Sequence, residues 1–239
     1  MKKLVAAVFL LFVGLAKAQG PDYDDLRILY ADGNYEKLVA KAENYTTNDK
    51  TKKDALPYFW HGRGLYAISL TGEAGDKYKN AFKESVNSVG KAIKLDKSGE
   101  VLKEYDEFII EYKSAIVERI QNDMDDPKVK NSAWVVKYYK MDPNSVGAKY
   151  LEGFFKFKNN DKSGANLAWK DADTKLKAIT SIEGWQEPDK ELLKMGALKA
   201  AEMYKSMKQV DKARALLGSV KQWYEDDEDF MKEYDEIVN

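Results

Sequence analysis

The chain has no cysteine, a single histidine (His61) and only five prolines among its 239 residues. Without cysteine there is no disulfide framework, so we expect its stability to come from packing. A transition-metal site usually needs several histidine, cysteine or acidic ligands, and a histidine general base needs an oriented partner. The lone histidine therefore argues against a metal site, and no residue pattern in the chain predicts catalysis or a cofactor.

The chain also lacks an excess of either charge. It has 39 basic and 40 acidic residues, and charged residues make up 33% of the sequence. Nucleic-acid binding requires a basic surface, so this even mixture argues against that function. Abundant charge with few prolines favours long helices whose outer faces are solvated.

The one long apolar run lies at the N-terminus. Two lysines precede an apolar stretch over residues 4–15, and Ala-Lys-Ala follows at 16–18. This order is typical of a secretory signal peptide, and the run is too short to span a bilayer comfortably. We therefore expect cleavage after Ala18 and a mature chain, residues 19–239, that is soluble in the periplasm, with secretion as the alternative. Cleavage would leave 36 basic residues, because it removes three of the 39, against all 40 acidic ones.

Small residues and a tryptophan recur at fixed spacing within residues 142–177, which we interpret as two antiparallel helices joined by a polar turn. Gly153 is followed by Ala165 twelve residues later, by Trp169 after four more and by Ala172 after three more. The small residues would let the helix backbones approach closely, and the tryptophan would fill the space beside them. This spacing resembles the tetratricopeptide repeat (TPR) family. The resemblance implies an all-α solenoid of helical hairpins that binds other proteins.

Further helical pairs are predicted on both sides of this one. Trp60 and Gly64 lie four residues apart, as in the first helix of a TPR unit, and Ala201 and Ala213 repeat the twelve-residue spacing. Two Asp-Pro dipeptides, at 126–127 and at 142–143, are predicted to begin helices, with aspartate as the N-cap. The first lies in the third helical pair and the second in the fourth. The five predicted pairs cover residues 22–45, 55–95, 100–141, 142–177 and 187–220, and a last helix over 227–238 is predicted to cap the stack.

The TPR resemblance also implies where a partner binds, because ligands of that family lie in a concave groove lined by the first helix of each unit. Positions that hold lysine and asparagine in members with a carboxylate clamp hold His61, Leu65 and Phe154 here. The resemblance therefore implies an apolar, aromatic groove that suits a hydrophobic segment or the flank of a larger protein. We expect Tyr150, Phe154 and Phe157 to be partly exposed in it. The expected groove residues are Tyr58, His61, Leu65, Tyr150, Phe154, Phe157, Lys158, Met195, Leu198, Glu202 and Lys205.

Taken together, these features predict a non-catalytic scaffold for protein–protein interactions in the bacterial cell envelope. The resemblance implies an accessory subunit of an outer-membrane secretion or transport machine, such as type 9 secretion machinery, which uses TPR-like periplasmic parts. The alternative is a module that binds envelope glycan or peptidoglycan through some of the 15 tyrosines and five tryptophans. The acidic run at 225–229 is expected to stabilise the start of the last helix rather than to bind a cation.

Overall fold

The computed structural model describes residues 22–72 and 75–239, and within these ranges its regular secondary structure is entirely helical. The predicted signal peptide and its cleavage site lie outside the described residues. No helix in the described ranges combines the length and the apolar character that a membrane crossing requires.

The α-helices are α1 (Asp24–Ala31), α2 (Tyr35–Thr47), α3 (Ala55–Leu70), α4 (Ala81–Leu95), α5 (Glu100–Glu104), α6 (Asp106–Asp125), α7 (Ala133–Tyr138), α8 (Val146–Lys158), α9 (Lys162–Leu176), α10 (Glu187–Ser206), α11 (Val210–Val220) and α12 (Glu228–Val238), with short 3₁₀ helices at Asp76–Tyr78 and Lys221–Trp223.

Helices that are neighbours in sequence pack together as hairpins. The contacting pairs are α1 with α2, α3 with α4, α6 with α7, α8 with α9, and α10 with α11. Contacts of α2 with α3 and of α8 with α10 join successive hairpins, and α12 packs on α10 and α11. The all-α prediction is confirmed, and the expected final helix is present with the side chain of Asp227 as its N-cap.

The third predicted pair differs most from expectation. Its first helix is divided at Tyr105, and neither Asp-Pro pair begins a helix. The carboxylates of Asp126 and Asp142 instead accept the backbone N–H two residues further on, which closes a local turn. The caps are serines a few residues later, because the hydroxyls of Ser132 and Ser145 accept the free N–H groups at the starts of α7 and α8.

The hairpin of α8 and α9 has the predicted close contact. A Cβ added to Gly153 would lie 2.2 Å from Nε1 of Trp169, so no larger residue fits there without movement. Trp169 is fully buried, and its indole N–H donates to the carbonyl of Tyr150 at 3.1 Å. A second glycine contact joins α8 to α10, where a Cβ on Gly147 would lie 2.4 Å from the carbonyl oxygen of Leu192.

Candidate functional site

The apolar residues of the expected TPR groove lie mainly in the core. The exposed fraction is 0% for Tyr150, 2% for Leu65, 5% for Phe154 and Leu198, and 8% for Met195. The expectation that Tyr150 and Phe154 are partly exposed is therefore wrong. The reason is tertiary: α10 packs along α8, and the helices of the first half of the chain cover the face that carries Phe154.

Contacts with neighbouring elements also engage the aromatic and imidazole residues of the expected groove. The hydroxyl of Tyr150 donates to Oδ1 of Asp173 at 2.7 Å, and Phe157 is half-buried with its ring centroid 6.0 Å from that of Trp169. Nδ1 of His61 lies 2.8 Å from the hydroxyl of Ser88 on α4, and burial lowers the pKa of this histidine. These contacts hold helices together and leave little free surface.

The remaining groove residues contact different parts of the fold. The half-buried Tyr58 donates to the carbonyl oxygens of Thr46 and Lys52, whereas the ammonium of Lys158 lies near backbone carbonyls at the end of α6. Glu202 pairs with Lys199 on its own helix, and the exposed Lys205 reaches the backbone of α12. The structure thus does not gather the expected groove residues into one open surface.

A cleft of about 660 Å³ lies elsewhere, where α4, α5 and α6 face the turn before α8 and the connection between α9 and α10. Its volume falls within the range of small-molecule and peptide-side-chain pockets. None of the expected groove residues lines it. The apolar wall consists of Ile93, Leu102, Ile109, Met141, Val146, Ala178, Ile179 and Trp185, and the polar lining consists of Asp106, Lys113, Asp142, Asn144, Lys175, Gln186 and Asp189.

A nearly buried ion pair holds one side of the cleft. Nζ of Lys113 on α6 lies 2.7 Å from Oδ2 of Asp189 on α10, and their side chains are only 10% and 14% exposed. The other carboxylate oxygen accepts the hydroxyl of Tyr138, on α7, at 2.6 Å. Burial, together with the charge of Asp189, raises the pKa of Tyr138, which keeps its proton in place. Three helices are thus fixed around one carboxylate, and this side of the cleft is preorganised.

Two other groups in the cleft are less well satisfied. Burial raises the pKa of Asp142, whose carboxylate accepts only the N–H of Asn144 among the described residues. The amide nitrogen of Gln186 donates to Asp106 at 2.6 Å, but its buried Oε1 has no hydrogen-bond partner in the described part of the chain. A hydrogen-bond donor or a cation that entered the cleft would supply the missing partner for the carboxylate of Asp142 and for Oε1 of Gln186.

The cleft has the chemistry of a binding site. It offers acceptors beside an apolar wall, and the described residues that line it include neither a histidine nor a serine. Within residues 22–72 and 75–239 no group of three or more histidine, cysteine or acidic residues is placed to hold a metal ion.

Sequence reasoning missed the cleft because its lining comes from four separate stretches of chain, from Ile93 to Asp189. The available signal was Trp185, a large aromatic residue in a connection without helical periodicity.

Comparisons with protein-family models, curated proteins and solved structures found no match to the chain. The function proposed below therefore rests on the residues and geometry of this chain.

Proposed function

We propose that this protein is a non-catalytic, TPR-like scaffold of the bacterial cell envelope that binds an extended segment of a partner protein in the cleft. The observation that carries the proposal is the cleft itself, which combines an apolar wall with the unpartnered Oε1 of Gln186 and the carboxylate of Asp142 on an all-helical framework. An extended peptide presents apolar side chains and backbone N–H donors together, so it matches both kinds of surface.

The repeat architecture is supported by the joined hairpins and by the two glycine contacts on α8. The protein differs from a regular stack in that α6, from the third hairpin, packs against α10, from the fifth. This contact covers the face that carries the groove in the TPR family. We propose that the binding surface has consequently moved to the cleft, on which residues of both α6 and α10 lie.

The envelope location follows from the predicted signal peptide, and a role as an accessory subunit of a secretion or transport machine, such as type 9 secretion machinery, follows from the TPR resemblance. The mildly acidic balance of the mature chain fits a protein partner better than a nucleic acid.

One observation favours an envelope glycan as the second candidate ligand. Trp185 lines the same cleft as the side chains of Asn144, Gln186 and Asp142. An aromatic face with amide and carboxylate groups around it can stack on a sugar ring and hydrogen-bond its hydroxyls. The same cleft would then hold a glycan strand.

Affinity purification from solubilised envelopes, comparing the parent with Trp185→Ala, tests the proposal. We expect the parent to recover a defined envelope protein and the variant to lose it, because aromatic anchors dominate most interfaces. Leu167→Ala is the control, since this leucine is 67% exposed on α9 and lies outside the cleft. Retention of the parent on peptidoglycan, lost in Trp185→Ala, would instead favour the glycan. Equal recovery of the protein partner by all three forms would refute the cleft as the binding surface.

A further inference from the structure

Two lysine side chains bind one asparagine where α7 lies near α4, and a third lysine, Lys83, contributes its backbone carbonyl to the same cluster. Nζ of Lys137 donates to Oδ1 of Asn87 at 3.2 Å and to the carbonyl oxygen of Lys83 at 3.1 Å. Nζ of Lys140 donates to the same Oδ1 of Asn87 at 2.6 Å. Two ammonium nitrogens that share one acceptor at these distances are at most about 6 Å apart. The cluster thus concentrates positive charge at one point.

In the described part of the chain, the cluster contains no carboxylate that neutralises its positive charge. Among the described residues no carboxylate lies within 4.0 Å of the ammonium group of Lys83, Lys137 or Lys140. The acceptors of Lys137 are a neutral amide and a neutral carbonyl. Lys137 is only 8% exposed, and a buried ammonium group is ordinarily paired with an acid. Burial, with the charges of Lys140 and Lys83, lowers the pKa of Lys137.

The cluster is open to solvent on one side. Lys83, Asn87 and Lys140 are exposed, whereas Lys137, which donates to Asn87 and to the carbonyl of Lys83, is buried. An ammonium group has three N–H donors, so Lys137 has one left and Lys140 has two left after the bonds to Asn87 and Lys83. An oxyanion that approached from solvent would find several unused donors on two adjacent ammonium groups, with the charge of Lys83 near enough to lower the pKa of Lys137.

We propose that Lys83, Lys137 and Lys140 form a binding site for a phosphate group. A phosphate carries up to two negative charges and several acceptor oxygens, so it can bridge the ammonium groups and relieve their repulsion, and lysine binds phosphate as a point charge. A carboxylate would supply one charge and two oxygens and would leave more of the cluster unsatisfied. The phosphate is either free or the monoester of a larger ligand. This site is separate from the cleft, whose lining contains none of the three lysines.

The alternative role for Lys137 is structural, as a tie between α7 and the backbone of α4. Substitution of Lys137 itself would not separate the two roles, because the loss of that tie can unfold the region. The test therefore uses the exposed members of the cluster. Asn87→Asp is the most informative change, because it keeps the shape of the side chain and supplies the missing negative charge from within the protein.

The experiment is a titration of the mature chain with inorganic phosphate at constant low ionic strength, followed by calorimetry and by amide NMR shifts. We expect saturable binding with shifts confined to residues near 83–90 and 137–140. Lys83→Ala/Lys140→Ala should weaken binding at least tenfold, and Asn87→Asp should abolish it. The control Lys162→Ala/Lys170→Ala removes two exposed lysines of α9 and should bind like the parent.

A parallel titration with glycerol phosphate distinguishes the two sources of the group. Binding as tight as that of inorganic phosphate, or tighter, assigns the site to a phosphate monoester, and binding of inorganic phosphate alone assigns it to the free ion. The proposal is overturned if the parent shows no saturable binding. It is also overturned if the α9 control weakens binding as much as the cluster variant, or if Asn87→Asp binds phosphate like the parent.

Discussion

Replacing Gly153 by alanine tests the contact between α8 and α9 with a single methyl group. The added Cβ would lie 2.2 Å from Nε1 and 2.4 Å from Cδ1 of Trp169. The indole has little freedom to move, because its N–H donates to Tyr150 and its ring packs against Tyr204 with centroids 5.0 Å apart. Overpacking of this kind costs about 1–3 kcal/mol, and the loss of the indole hydrogen bond costs about 1 kcal/mol more.

The same substitution has a favourable component, since alanine in place of glycine stabilises a helix interior by about 1 kcal/mol. We therefore expect Gly153→Ala to lower the free energy of unfolding by about 1–3 kcal/mol. That loss corresponds to a fall in Tm of at least about 2 °C for a chain of this size. Urea denaturation followed by circular dichroism measures the effect, provided that the slope with denaturant is unchanged.

Gly218→Ala is the matched control. Gly218 is also helical, in α11, and a Cβ there would meet no atom within 4 Å. Only the propensity term then remains, so we expect this variant to be as stable as the parent or up to about 1 kcal/mol more stable. If Gly153→Ala behaved like this control, the close approach of α8 and α9 would be refuted. A smaller penalty for Gly153→Ala in a Trp169→Phe background would assign the clash to the indole.

Four further predictions concern other contacts. Lys113→Met should lower the free energy of unfolding, measured by urea denaturation, by about 1.5–3 kcal/mol, because it leaves the carboxylate of Asp189 without its cation. Adding Asp189→Asn should restore part of the loss. An unchanged denaturation midpoint would contradict the ion pair. Burial raises the pKa of Asp142, so ionisation opposes folding and stability is lost as pH rises through the raised pKa. Asp142→Asn should accordingly be more stable than the parent at pH 7 and similar to it at pH 3, as thermal melts at the two values can check. Phe154→Ser should lower the free energy of unfolding by about 3–5 kcal/mol, as expected for a core aromatic residue. A Tm near that of the parent would indicate that Phe154 lies at the surface. Asp227→Ala should lower the free energy of unfolding by about 1 kcal/mol, because α12 loses its N-cap. Asp227→Asn should lower it less, because the amide oxygen still accepts the N–H of Phe230.

Much of the helical framework could be predicted because its signals are local. The turn between α1 and α2 falls at Gly33, which adopts a φ of 71° that glycine accommodates without strain. The last helix begins where Asp227 accepts the N–H of Phe230 at 2.9 Å, so the acidic run acts there as expected. In both cases a residue and its immediate neighbours determine the outcome.

The candidate site could not be predicted in the same way. The spacing of small residues and tryptophan correctly placed Trp169 against Gly153, because both residues lie in one hairpin with a short turn. The exposure of Phe154 depended on which distant helix covers α8, and nothing within that hairpin specifies the answer. The sequence also suggested helix starts at Asp126 and Asp142, where an aspartate turn and a serine cap further on competed and prevailed.

The sequence by itself determined the class of fold, the bounds of the hairpins of α3 with α4 and of α10 with α11, and the small-residue contact of α8 with α9, because these depend on periodicity and close spacing. Only the tertiary structure decided which surfaces are open. The pair of Lys113 with Asp189 joins residues 76 positions apart, and the bond of Lys137 to Asn87 joins residues 50 positions apart. Such contacts arise when α6 packs on α10 and α7 lies near α4, so the cleft and the lysine cluster exist only once the chain has folded.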